Sequence, residues 1–128
     1  DCIAIRCGND NTGYPGIQIT AGRNRIVNCQ VSSPAREAIV ISATANIISK
    51  CHIFSPSGES SGTYPAVSIR STNCIVEGNF INCNSLASYG VELTESGNNC
   101  IVHGNRIVNY VTGSINDLGT DNLIADNL

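Results

Sequence analysis

Two pairs of charged side chains have the residue types and spacing that chemistry would need. Glu77 and His103 occupy the same place in two copies of a short repeat, so a carboxylate and an imidazole lie close enough to act as a general acid–base pair. Arg70 and Glu92 are outward-facing residues of neighbouring repeats. We interpret both pairs as ion pairs on a solvated surface, because such pairs are common and contribute little energy. They stay weak candidates for catalysis.

Metal and cofactor chemistry has less support. Asp117, Asp121 and Asp126 cluster near the C-terminus with two asparagines, and their oxygens could bind calcium weakly. A solvated turn is the favoured interpretation, since Asp and Asn are ordinary turn residues. No two of the seven cysteines form a C-x-x-C pair, which argues against zinc. We therefore expect no metal and no cofactor.

The elements that carry these residues belong to a degenerate repeat of about 22 residues. Its clearest copies are Ile75–Ile81 and Ile101–Ile107, and Leu123–Leu128 repeats them again. A short alternating strand precedes each copy, and the spacing between equivalent positions is shorter from Ile17 to Ile39 than from Ile39 to Val67. The variation predicts loops of different length on a constant coil, with the long loops at the Tyr14-Pro15 and Tyr64-Pro65 corner.

The alternation also predicts which side chains are interior. The expected core residues are Ile17, Ile19, Ile39, Ile41, Val67, Ile69, Val91, Leu93, Ile75 and Ile101. Two stacked polar positions support the same register. One is a structural ladder of Cys29, Cys51, Asn79, Asn105 and Asn127, and the other holds Asn24, Asn46, Cys74, Cys100 and Asn122. A buried Asn amide finds its partners when the next coil carries the same residue, and we interpret the stacked cysteines as buried free thiols.

This repeat, of the form I-V-x-G-N-x-I, resembles the right-handed parallel β-helix superfamily, whose folds are pectate-lyase-like. The resemblance implies an all-β, right-handed parallel β-helix. The repeats predict about five coils, and the length predicts one domain formed by residues 1–128. The resemblance implies little about function, because this fold carries polysaccharide lyases, glycoside hydrolases, phage tailspikes, adhesins and structural fibres.

Two family features bear on catalysis. The segment Asp1–Ile5 resembles the aspartate motif of polygalacturonase-type hydrolases, but it holds one Asp where glycosidases need two carboxylates, and the G-H-G and R-x-K motifs are absent. Lyases of this fold use an Arg or Lys as base beside acidic calcium ligands, which is why Arg70 and Glu92 are candidates. No second acid joins Glu92 on its face, so the favoured interpretation remains a cross-coil ion pair.

Composition narrows the possible partners. Only 13% of the residues are charged, the net charge is −3 and no basic cluster occurs, which argues against nucleic acid. No apolar run reaches membrane-spanning length. The chain begins with Asp and contains no Met, so we expect a processed chain or a fragment of a longer protein.

The two ends lead to the functional hypothesis. Both lack the caps that usually shield a solenoid, and the chain starts and stops at nearly the same phase of the coil, with Ile3 aligned to Ile107. We expect a non-catalytic extracellular or cell- or virion-surface subunit that assembles with itself, end to end, into a filament. The expected interface consists of Cys2, Ile3, Ile5, Ile115, Leu123, Asn127 and Leu128. The alternative is the β-helix portion of a carbohydrate-active protein that binds or cleaves a glycan.

Overall fold

The computed structural model describes residues 2–5, 13–54, 56–58 and 60–128, and within them the chain forms strands and no helix. The strands are β1 (Cys2–Ile5), β2 (Ile17–Ile19), β3 (Arg25–Val27), β4 (Cys29–Ser32), β5 (Ile39–Ile41), β6 (Ile47–Ser49), β7 (His52–Phe54), β8 (Val67–Ile69), β9 (Ile75–Glu77), β10 (Phe80–Asn82), β11 (Tyr89–Leu93), β12 (Ile101–His103), β13 (Arg106–Val108), β14 (Gly113–Asp117) and β15 (Leu123–Ala125).

These strands form three parallel sheets of five strands each. The first sheet has the order β1-β4-β7-β10-β13, the second β2-β5-β8-β11-β14 and the third β3-β6-β9-β12-β15. Each strand therefore pairs with the strand three places along the chain. From β1 the chain returns to the first sheet four times and then adds β14 and β15, so it completes four turns and begins a fifth. The prediction of an all-β parallel solenoid is confirmed.

Two corners of every coil require a left-handed backbone. Between the third and first sheets, one residue of each coil has a φ near +55°: Asn28 (53°), Lys50 (54°), Gly78 (60°), Gly104 (62°) and Asp126 (52°). The corner between the second and third sheets has the same conformation at Arg23, Ala45, Asn73, Asn99 and Asp121. Glycine and asparagine tolerate this conformation best. The glycine of the I-V-x-G-N-x-I repeat is thus a corner residue, and the residue after it enters the polar ladder.

The interior of the second sheet matches the sequence prediction. The paired residues Ile39, Val67 and Val91 form one column and are fully buried, as are Ile41, Ile69 and Leu93 in the column beside them. Ile17 and Ile19 belong to the same columns but are only partly buried, because β2 is the edge strand of this sheet.

In the third sheet the predicted interior positions are wrong by one residue. Ile75 and Ile101 are half-buried, whereas Val76 and Val102 are 1% and 0% exposed. The cause is the other stacked position, whose residue directly precedes each strand of this sheet. Cys100 is itself buried two positions before Val102, so the period of two turns the intervening Ile101 outward.

The register predicted for the first strand is also wrong by one. β1 pairs with β4 so that Cys2 meets Cys29, Ile3 meets Gln30 and Ala4 meets Val31. The sequence prediction aligns Ile3 with the interior column, because it assumes that the arc between the first and second sheets has a constant length. In the structure that arc is much shorter between β4 and β5 than between β7 and β8, so counting across it cannot fix the register.

The predicted Asn ladder is present. The side-chain oxygen of Asn105 accepts hydrogen bonds from the backbone (3.0 Å) and the amide (2.9 Å) of Asn79, and Asn127 accepts the equivalent bonds from Asn105. The Asn105 amide also donates to the carbonyl of Val76 at 2.9 Å. Below these asparagines, the backbone of Cys51 donates to the Asn79 side chain at 2.8 Å. Each ladder residue thus pairs polar groups that lie inside the coil.

Buried thiols fill the other small interior positions. Cys29, Cys74, Cys83 and Cys100 are free and buried, as the sequence predicted for the stacked ones. The backbone of Cys74 donates to the sulfur of Cys100 at 3.4 Å. The hydrogen bond between their side chains lowers the pKa of Cys74 to about 7 and raises the pKa of Cys100. For Cys83, burial alone raises the pKa to about 12.

The corrected register of the third sheet predicts that two neighbouring residues contribute unequally to the free energy of unfolding. Val102→Ala should lower the free energy of unfolding by about 2 kcal/mol, because it leaves a cavity between packed coils. Ile101→Ala should cost less than about 1 kcal/mol, because that side chain is already half-exposed. Urea denaturation followed by circular dichroism compares the two. A larger loss for Ile101→Ala would contradict the register.

Stability should fall at alkaline pH through Cys83. Its thiol ionises near the ordinary value of 9.0 in the unfolded chain, but its pKa is about 12 in the folded chain. Between those values the unfolded state loses a proton that the folded state keeps, so the free energy of unfolding falls by roughly 1 kcal/mol per pH unit. Cys83→Ala should flatten the pH dependence from pH 9 upward. Identical slopes for the two proteins would exclude this assignment.

Candidate functional site

The predicted Glu77–His103 pair is present on the surface of the third sheet. The two residues are paired across β9 and β12, and His103 Nε2 lies 3.2 Å from Glu77 Oε2. Both side chains are more than 40% exposed. The adjacent positions in the stack are Ser49 and Ala125, which add no further acid or base. The geometry is that of a solvated surface pair, and such pairs contribute little.

The predicted Arg70–Glu92 ion pair is wrong. Arg70 extends toward the preceding coils and pairs with Glu37, with Nη2 2.6 Å from Oε1. Glu92 instead accepts a hydrogen bond from the amide of Asn116 at 3.1 Å. The reason is burial: the Glu37 side chain is only 4% exposed, so its carboxylate needs a cation far more than the partly exposed Glu92 does.

Glu37 lies at the centre of an arginine–carboxylate cluster, which we define as Arg36, Glu37 and Arg70. Arg36 approaches the other carboxylate oxygen, with Nε 3.6 Å from Oε2. Glu37 belongs to the arc between β4 and β5, and Arg70 follows β8 directly. One buried carboxylate is therefore flanked by two guanidinium groups from different coils.

Further contacts fix the two arginines. Arg36 Nη1 donates to the carbonyl of Gly13 at 2.6 Å, and its guanidinium carbon lies 4.3 Å from the centre of the Tyr64 ring. Arg70 Nε donates to Ser68 Oγ at 3.1 Å. The Nε of Arg36 is buried and has no hydrogen-bond partner within the described part of the chain.

The cluster forms one wall of a cleft on the second sheet. The cleft has a volume of about 160 Å³ and is lined by Gly13, Tyr14, Pro15, Gln18, Arg36, Glu37, Val40 and Arg70. The repeat spacing predicted the Tyr14-Pro15 and Tyr64-Pro65 corner, but it did not indicate Arg36 or Glu37. A signal was present, since Arg36-Glu37 lies on the coil between those two loops.

An aromatic surface on the first sheet was also missed. His52, Phe54 and Phe80 form an edge-to-face trio with ring centres 5.7–6.1 Å apart. The guanidinium carbon of Arg106 lies 5.8 Å from the centre of the Phe80 ring. His52 and Phe80 are paired outward positions of β7 and β10. The signal in the sequence was the recurrence of large planar residues directly after the ladder position.

The predicted assembly residues at the C-terminal side lie on the last described coil. Ile115 continues the buried column of Val91, and Asn127 continues the ladder. Leu123 and Leu128 are 56% and 84% exposed, and Leu123 pairs with the outward position of Ile101. The residue that continues the interior column of the third sheet is Ile124, which pairs with Val102. For Cys2, Ile3 and Ile5 the structure describes only the backbone register.

The acidic C-terminal residues form turns. Asp117 accepts hydrogen bonds from the backbone of Gly119 at 3.1 Å and from the amide of Asn122 at 2.7 Å. Asp121 and Asp126 occupy left-handed corner positions. Among the described residues, no group of three His, Cys, Asp or Glu side chains could hold a metal ion. Asp1 lies outside the described residues, and no helix within them is long and apolar enough to cross a membrane.

Comparison with known proteins identifies the family. Residues 2–128 match the family model described as the right handed beta helix region. Neither the curated proteins nor the solved structures gave a match. The family model covers almost the whole chain, and the three parallel sheets are the architecture that it describes. This chain therefore belongs to the right-handed β-helix family.

Proposed function

We propose that this chain is a non-catalytic structural module of an extracellular, cell-surface or virion-surface protein, and that its coils stack end to end with those of a second copy. One observation carries the proposal: the last strand of the third sheet leaves its core column open to solvent. Ile124 is 38% exposed, whereas its partner Val102 in the preceding coil is fully buried.

The backbone at this end supports stacking. β13, β14 and β15 are edge strands of their sheets, and β1, β2 and β3 are the edge strands on the opposite side. Pairing one set with the other across a junction would satisfy the free backbone groups by strand addition. It would also continue the apolar columns of Ile115 and Ile124. The buried apolar area and the backbone hydrogen bonds would then favour association together.

The register sets one condition on such a junction. Cys2 and Ile3 pair with Cys29 and Gln30 of the following coil. Asn127 and Leu128 extend the first sheet beyond β13, and a second copy stacked there would place its Cys2 and Ile3 at the same two positions. A seamless stack of two copies therefore needs one of these two-residue segments to move aside. The second and third sheets meet no such overlap, so β2 and β3 of one copy can follow β14 and β15 of the next.

Lysine substitution at the exposed end tests the stacking. Ile124→Lys places a charge in the interior column and should weaken self-association by roughly tenfold or more, because a buried unpaired charge is costly. Leu123→Lys is the matched control, since that neighbouring side chain points outward, and it should associate like the unmodified chain. Light scattering and electron microscopy measure assembly, and circular dichroism verifies that both variants are folded. An unmodified chain that stays monomeric at millimolar concentration would refute the proposal.

A second candidate function is glycan binding, and the aromatic surface of the first sheet favours it. The partly exposed rings of Phe54 and Phe80 pack edge to face and present apolar surface that a sugar ring can contact, and His52 and Arg106 add polar groups beside it. The edge-to-face packing limits the motion of the rings.

Titration with pectin, alginate and capsular polysaccharides tests this candidate. Phe80→Ala should abolish binding if the platform holds the glycan, whereas Val108→Ala on the same sheet should leave the affinity unchanged. Turnover of any of these polymers that is lost in Glu77→Gln or Glu92→Gln would instead make the chain an enzyme, and would reverse the order of the two candidates.

A further inference from the structure

We propose that the cleft beside the arginine–carboxylate cluster is a binding site for an oxyanion group, namely a carboxylate, sulfate or phosphate. The inference is independent of the stacking proposed above. Two guanidinium groups flank one carboxylate, so the cluster carries a local excess of positive charge in a chain whose net charge is −3. Among the described residues that line the cleft, Glu37 is the only acidic one.

The cluster has more cationic groups than its carboxylate requires. Arg70 alone makes a 2.6 Å contact with Glu37, while Arg36 Nε stays 3.6 Å away. That buried Nε has no hydrogen-bond acceptor among the described residues. A buried donor without a partner is unusual in a native protein, and a bound water or ion is a common explanation. Because that Nε is shielded from solvent, an oxyanion in the cleft would balance the guanidinium charge through the exposed part of the Arg36 side chain.

The donors are held in place before any ligand arrives. Arg36 is fixed by the Gly13 carbonyl and the Tyr64 ring, and Arg70 is fixed by Ser68 and Glu37. A preorganised site loses little entropy on binding. Guanidinium groups also match the planar, two-oxygen geometry of carboxylates and the oxygens of sulfate or phosphate.

The size of the cleft limits the ligand. A volume of about 160 Å³ admits an anionic group with a few attached atoms, but not a large ring system. The exposed Tyr14 and Gln18 stand at the cleft and supply a ring face and a neutral amide. The occupant is therefore either a free small anion or an anionic group that projects from a larger molecule.

Nuclear magnetic resonance titration tests the site at constant ionic strength. Sodium sulfate, inorganic phosphate, acetate and glucuronate are added separately, and the Arg36 and Arg70 Nε–H signals are followed with the backbone amides of Gly13 and Tyr14. We expect saturable shifts confined to these groups. Equal affinity for acetate and glucuronate identifies a free anion, whereas a roughly tenfold preference for glucuronate identifies a sugar acid.

Gln18→Glu is the decisive variant, because it adds a negative charge to the cleft wall without removing any contact of Glu37. It should weaken anion binding at least about tenfold. Gln30→Glu makes the same change on an exposed position of the first sheet and should leave the affinity unchanged. Chemical shifts that do not saturate with anion concentration would overturn the proposal. Equal anion affinities in Gln18→Glu and Gln30→Glu would overturn it as well.

Discussion

The in-register stacking of equivalent residues on successive coils is the constraint on which this structure depends. Most of the strands are only three residues long, too short to be stable alone, and each obtains its backbone hydrogen bonds from the coils about 4.8 Å on either side. The same spacing places Asn79, Asn105 and Asn127 where each amide meets the next. A side chain is therefore acceptable at an interior position only if it packs against its own equivalent. That condition keeps the columns aliphatic and the ladder small and polar.

The arcs between the sheets escape this condition, and the functional candidates lie there or on outward faces. The arginine–carboxylate cluster joins the arc after β4 with the residue that follows β8, and the loop before β8 supplies Tyr64. None of these residues is repeated on the neighbouring coils. The rigid stack fixes the position of each arc, so side chains far apart in the sequence, such as Glu37 and Arg70, meet with defined geometry.

The part of the fold that could be predicted from sequence is the part that repeats. The columns of Ile39 and Ile41 and the Asn ladder follow from the period alone. The wrong predictions concern residues whose register depends on an arc of variable length or on a polar neighbour. Ile3 is misaligned by counting through an arc of variable length, and Ile101 is misplaced inside when the burial of Cys100 is not considered. Arg70 is wrongly paired with the nearest acid on its face, although a buried acid on another coil competes for it more strongly.

Within the described part of the chain, burial rather than residue type or spacing separates the two carboxylates that contact basic side chains. Glu77 and His103 have the spacing of an acid–base pair, yet water surrounds both and screens their interaction. Glu37 belongs to no repeat position and no motif. Because its side chain is buried, an unpaired charge there would be strongly destabilising, and two arginines contact its carboxylate. Both arginines stay partly exposed and line a cleft. Stacking of equivalent residues stabilises the interior of the solenoid, but it does not offset the free energy needed to bury the charge of Glu37 in an arc. The cluster that satisfies this charge is therefore the most informative place to test for a ligand.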